Sequence, residues 1–129
     1  MKYNEFIDLV AERANVSREQ AEKLTFATLT TLAERITGGE ARDLAAQLPA
    51  RLHTPLVPAE EEAEGFTLDE FIRRTAERAG TDRATADIGM AAVMTTLRDA
   101  VTPREFDHVM SQLPQQFRGL TPGRRAPGR

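Results

Sequence analysis

A chain of 129 residues with no cysteine and a formal net charge of −3 is long enough to bury a core without a metal or a disulfide. The lack of cysteine excludes thiol catalysis, cysteine-based zinc sites and a disulfide framework. No stretch approaches the roughly 20 apolar residues that span a bilayer, and Met1-Lys2-Tyr3-Asn4-Glu5-Phe6 has no signal-peptide pattern, so a soluble, cytoplasmic protein is expected.

In chain order, Phe6, Ile7, Val10, Ala11 and Ala14 recur at helical spacing and predict a first helix. A longer second helix begins at Ser17, with Gln20 three residues on. Its core stripe is Ala21, Thr25, Thr28, Leu32 and Ile36, which leaves Leu24 near the edge and Phe26 well off it. Gly38-Gly39 is expected to stop this helix. Thr37-x-x-Glu40 is a capping box for a third helix, in which each side chain satisfies the other residue's free backbone donor. Leu44 and Leu48 form its buried face, Pro49 ends or kinks it, and a further turn carries Leu52. His53-Thr54-Pro55-Leu56-Val57-Pro58 and the acidic run Glu60 to Glu64 predict a solvated connector.

The same order of signals then returns. Thr67 with Glu70 caps a helix that buries Phe71, Ile72, Thr75, Ala76 and Ala79. Asp82 caps a long helix with the stripe Met90, Val93, Met94, Leu97 and Val101, and Ile88 is left outside it. Pro103 marks its end, and Thr102-x-x-Glu105 opens a helix burying Phe106, Val109, Met110 and Leu113. Pro114 and Phe117 follow, then a Pro/Gly/Arg-rich tail expected to be disordered. No alternating apolar-polar run suggests a strand.

A shift of 65 residues superimposes the two series without a gap. Glu5-Phe6-Ile7 meets Glu70-Phe71-Ile72, Ala11-Glu12-Arg13-Ala14 meets Ala76-Glu77-Arg78-Ala79, and Thr30-Thr31-Leu32 meets Thr95-Thr96-Leu97. Thr37 and Glu40 meet Thr102 and Glu105, and Gln47-Leu48-Pro49 meets Gln112-Leu113-Pro114. The expectation is an internal duplication. It gives an all-α protein of two tandem three-to-four-helix modules packed as one bundle. The modules span residues 1–56 and 67–118, with a linker at 57–66 and a tail at 119–129.

The opening Tyr-x-x-Phe, the string Gly38 to Pro49 (Gly-Gly-Glu-Ala-Arg-Asp-Leu-Ala-Ala-Gln-Leu-Pro) and the returning segment Phe106 to Pro114 resemble a bacterial family of unknown function numbered 2267 (DUF2267). The resemblance covers about residues 1–118. It implies an all-α cytoplasmic protein without an assigned activity, and it brings no catalytic residues to carry over.

Few residues invite chemistry. Glu105-x-x-His108 has the i, i+3 spacing of di-iron carboxylate bundles, and its counterpart is Glu40-x-x-Asp43. The capping role already accounts for Glu40 and Glu105, and inward glutamates from the second helices are missing, so no metal or other cofactor is expected. His53 and His108 are expected to be solvated. The threonines at 25, 28, 30, 31 and 37 are expected to serve close packing, each hydroxyl bonding its own turn. Pro114 to the end carries Arg118, Arg124, Arg125 and Arg129 with no acid, so residues 1–113 hold −7, the difference between −3 and +4. Such an acidic body repels phosphates, so nucleic-acid binding is not expected, and weak contact through the tail is only a trailing alternative. What is left is a protein-interaction or assembly module without catalytic activity, binding an unknown protein or a second copy of itself, with Phe26, Ile88 and Leu24 as partner-binding candidates unless the other module buries Phe26 and Ile88 at a shared seam. A small-ligand or metal-binding bundle is the alternative.

Overall fold

A computed structural model describes residues 1–57 and 60–120. Six α-helices pack together: α1 (Tyr3–Ala14), α2 (Arg18–Arg35), α3 (Gly38–Ala46), α4 (Leu68–Ala79), α5 (Arg83–Ala100) and α6 (Pro103–Ser111). Short 3-10 turns at Ala50–Leu52 and Gln115–Leu120 follow α3 and α6, and no strand occurs among the described residues. The start of each helix recurs 65 residues later, and the paired helices have equal lengths of 12, 18 and 9 residues.

Local chemistry sets these boundaries. The Ser17, Thr37, Thr67, Asp82 and Thr102 side chains accept hydrogen bonds from backbone N–H groups three residues on, removing one orphan donor at each helix start. Asn15 and Gly80, at matching positions, close α1 and α4 in left-handed conformation. The N–H groups of Val16 and Thr81 then donate to the carbonyls of Ala11 and Ala76.

The two halves do not form separate cores. α1 lies on α5 and α4 lies on α2, α2 also packs on α5, and α3 meets α6. The contacts are reciprocal, as in an isologous dimer interface. Arg13 donates to Thr96 Oγ1 at 2.9 Å and to Asp99 at 2.6 Å. The matching Arg78 donates to Thr31 Oγ1 at 2.9 Å and to Glu34 at 2.6 Å. Leu24 and Gly89, also matching positions, meet where α2 crosses α5. A Cβ on Gly89 would lie 2.7 Å from both methyl carbons of Leu24. Leu24 is therefore fully buried at the seam, not at an edge. The central place of α2, touching α1, α4 and α5, also explains why Leu29 is buried besides the expected stripe.

Several expectations change in three dimensions. Gly38 and Gly39 do not stop α2, which ends at Arg35 as Ile36 turns extended; they are the first two residues of α3. Gly38 is small because the connector crosses it: a Cβ there would sit 2.9 Å from the Glu60 carbonyl oxygen, and the Gly38 N–H donates to Glu61 O. The acidic run is exposed yet fastened. Glu64 N–H donates to Glu34 O at 2.8 Å, Glu61 pairs with Arg42, and Glu64 pairs with Arg74. His53 is half-buried, with Nε2 2.9 Å from Leu48 O, rather than solvated. Gly119 and Leu120 continue the last 3-10 turn, and the rest of the expected disordered tail lies outside the described residues.

The threonines divide. Thr30 and Thr31 bond the carbonyls of Phe26 and Ala27, as expected, whereas the Oγ1 atoms of Thr25, Thr28 and Thr75 are buried and unpaired. In the matching positions stand Met90, Val93 and Val10, all apolar and buried. An unpaired buried hydroxyl costs about 1–3 kcal/mol relative to a satisfied one. Thr28→Val and Thr75→Val should each raise stability by roughly 1 kcal/mol, read as a higher urea midpoint. A fall in the midpoint would mean the hydroxyls are satisfied in solution.

Candidate functional site

Two regions carry side chains beyond simple packing. The first is the α3–α6 seam. Thr37 and Thr102 cap their helices through Oγ1, but the expected return bond from Glu40 and Glu105 is not made. The Thr37 N–H instead donates to Gln112 Oε1 at 2.8 Å, and the Thr102 N–H to Gln47 Oε1 at 2.9 Å. Each helix start is thus capped by a glutamine from the other half. Arg35 adds a strap, donating to the carbonyls of Phe66 and Gln112.

Relieved of capping, the two glutamates turn to each other. Glu40 and Glu105 are 8% and 7% exposed, and their carboxyl groups come within hydrogen-bonding reach of each other. Their Oε2 atoms have no partner. Burial, the bond to Glu105 and the negative charges of Glu105 and Asp43 push the Glu40 carboxyl up to about 8. This corrects the reading of both residues as ordinary capping partners. The other residues of the two motifs do not join them closely: Asp43 and His108 are exposed on α3 and α6. Among the described residues, no three His, Asp or Glu side chains gather to hold an ion. The pairing could not be found from local spacing, because it joins residues 65 positions apart; the equal offset was its one signal.

The second region is the outer face of α2. Shallow, open depressions of about 310 and 360 Å³ share Lys23 and Phe26, the first bordered by Tyr3, Glu22 and Arg51 and the second by Ala27, Thr30 and Arg78. The walls are fixed by polar contacts. Tyr3 donates to Glu22 Oε2 at 2.6 Å, and the Arg51 guanidinium lies 3.9 Å from the Tyr3 ring centre. Arg78 is held by Glu34, whose own carboxyl burial tends to raise but the bonds from Arg78 and Arg74 lower overall. Of the three partner-binding candidates, Phe26 is half-buried in this face and Ile88 is 56% exposed on α5. Leu24 belongs to the seam. Lys23 and Ile88 occupy matching positions, as do Phe26 and Ala91, so the two long helices present different outer faces.

Among the described residues no helix is long and apolar enough to cross a membrane. Arg124, Arg125 and Arg129, the basis for any nucleic-acid contact, lie outside them. No curated protein matches the chain. The family model described as "Uncharacterized conserved protein (DUF2267)" matches residues 3–120, from the first turn of α1 through the last 3-10 turn, and the chain belongs to that family.

Proposed function

We propose that this protein is a non-catalytic interaction module, formed by tandem duplication of one three-helix unit, and that it holds a protein partner on the outer face of α2 around Phe26. The observation that carries the reading is the pair of adjoining hollows that share Phe26 and Lys23. An aromatic ring with an apolar hollow beside it and a charged rim is the composition of an interface anchor. Divergence supports the same reading. Matching positions in the two halves share the fold, so Phe26 where the other half has Ala91, and Lys23 where it has Ile88, are differences the scaffold does not require.

The reading as a non-enzyme rests on where the repeated polar residues go. Thr37 and Thr102 are caps, Gln47 and Gln112 cap across the seam, and the carboxyl pair is more than nine-tenths buried. Turnover of a substrate that Glu40→Gln abolished would replace this reading with a catalytic one.

Phe26→Ser and Ile88→Ser test the surface. Ile88→Ser should change stability by no more than about 0.5 kcal/mol, and Phe26→Ser by roughly 1 kcal/mol, because only part of the ring leaves apolar surroundings. Self-association by sedimentation and partner capture from the native host should fall with Phe26→Ser. A loss of about 2–4 kcal/mol with association unchanged would make Phe26 a packing residue and remove the site.

A further inference from the structure

We propose that Glu40 and Glu105 form a proton-operated clasp, in which one proton held between two buried carboxyl groups ties the first turn of α3 to the first turn of α6 and its removal loosens that end of the seam. The geometry demands the proton. Two ionised carboxylates are both acceptors and cannot hydrogen-bond each other, so the bond between these groups exists only while one of them is protonated. Both side chains are more than nine-tenths buried, and neither Oε2 has a donor to compensate a second charge. The donors that would ordinarily occupy them, the Thr37 and Thr102 N–H groups, are taken by Gln112 and Gln47. The cross-seam caps therefore leave the acids with no better partner than each other.

The surrounding charges do not favour a doubly ionised pair. The charges acting on Glu40 are Glu105 on α6 and Asp43 on its own helix, both acidic. Arg35 of α2 is engaged by two backbone carbonyls, and Glu61 of the connector is matched by Arg42. Arg104, Asp107 and His108 on α6 are exposed. The positive ends of α3 and α6 favour negative charge there, while burial and the acidic neighbours act the other way and push the Glu40 carboxyl up to about 8. A group whose acidity is weakened on folding stabilises the fold fully below its ordinary value of 4.5 and loses that contribution as pH rises through about 8. The clasp is therefore closed in neutral and mildly acidic solution and opens at alkaline pH.

Denaturant midpoints of the full chain from pH 5 to 9.5, for the wild type, Glu40→Gln and Glu105→Gln, test this directly. The wild type should lose stability relative to both variants as pH rises from about 5 to about 8 and level off above that, the curves converging at the acid end. Parallel curves would overturn the clasp. Carbon-13 NMR of the glutamate carboxyls in the unmodified chain gives a reading that needs no variant: one carboxyl should titrate near 8, and none titrating above about 6 would also overturn it. The midpoints at pH 9 should be unmoved by Mg²⁺, Ca²⁺ or Zn²⁺. Stabilisation of the wild type alone by one of these ions would make the pair a cation site instead and sink the proton reading.

Discussion

Gly89→Leu is expected to destabilise the protein by about 3 kcal/mol, at the upper end of what overpacking a core costs. The first added carbon would already lie 2.7 Å from both methyl carbons of Leu24 and 3.0 Å from its branch carbon. Leu24 has no room to withdraw, being fully buried with Ala27 and Ala79 around it. Gly89→Ala should cost less, roughly 1–2 kcal/mol, since the methyl ends of a leucine can turn aside in part. The informative experiment is the exchange. Because Leu24 and Gly89 are matching positions that meet each other, Leu24→Gly combined with Gly89→Leu puts the same pair back with the roles reversed. Urea unfolding of the two single variants and the double should give a coupling of about 1–3 kcal/mol in favour of the double. Strictly additive losses would mean that the two positions are not opposed across the seam.

A chain ending at Leu56 should fail to fold on its own. It retains α1, α2 and α3, but α1 would lose α5, α2 would lose both α4 and α5, and α3 would lose α6. The residues left bare include Phe6, Ile7, Val10, Leu29 and Leu32, all fully buried in the whole protein. A unit of that size buries too small a share of its surface to offset its conformational entropy. It also leaves the Arg13 guanidinium without Thr96 and Asp99, and the Thr37 N–H without Gln112. Circular dichroism and sedimentation should report a molten or aggregated species. A cooperative melt from a soluble monomer would show that each half has its own core. Mixing fragments 1–57 and 58–129 should recover part of the helical signal if the seam is as self-complementary as its reciprocal contacts indicate.

Much of the fold is determined by the sequence alone, and the reason is that helices are local objects. Apolar residues at helical spacing and capping side chains at Ser17, Thr37, Thr67, Asp82 and Thr102 act within a few residues of themselves, so six helices and most of their starts follow from neighbours along the chain. The family signature and the 65-residue repeat of helix positions are equally legible. That Ile88 lies off the stripe of its own helix is a local inference too, whereas its exposure was decided by the tertiary structure, which leaves it outside the seam. What only the tertiary structure decided concerns residues that meet across the seam. Glu40 satisfies the capping-box pattern, yet a glutamine from the other half takes its place at the Thr37 N–H and leaves it to bond Glu105. Gly38 resembles a helix stop, yet it is the first residue of α3 and is small because the connector passes over it. Leu24 resembles an edge residue, yet Gly89 opens a space for it at the crossing of the two long helices. Spacing along one helix specifies which face turns inward. It carries no information about which atoms of the other half occupy the space that face meets.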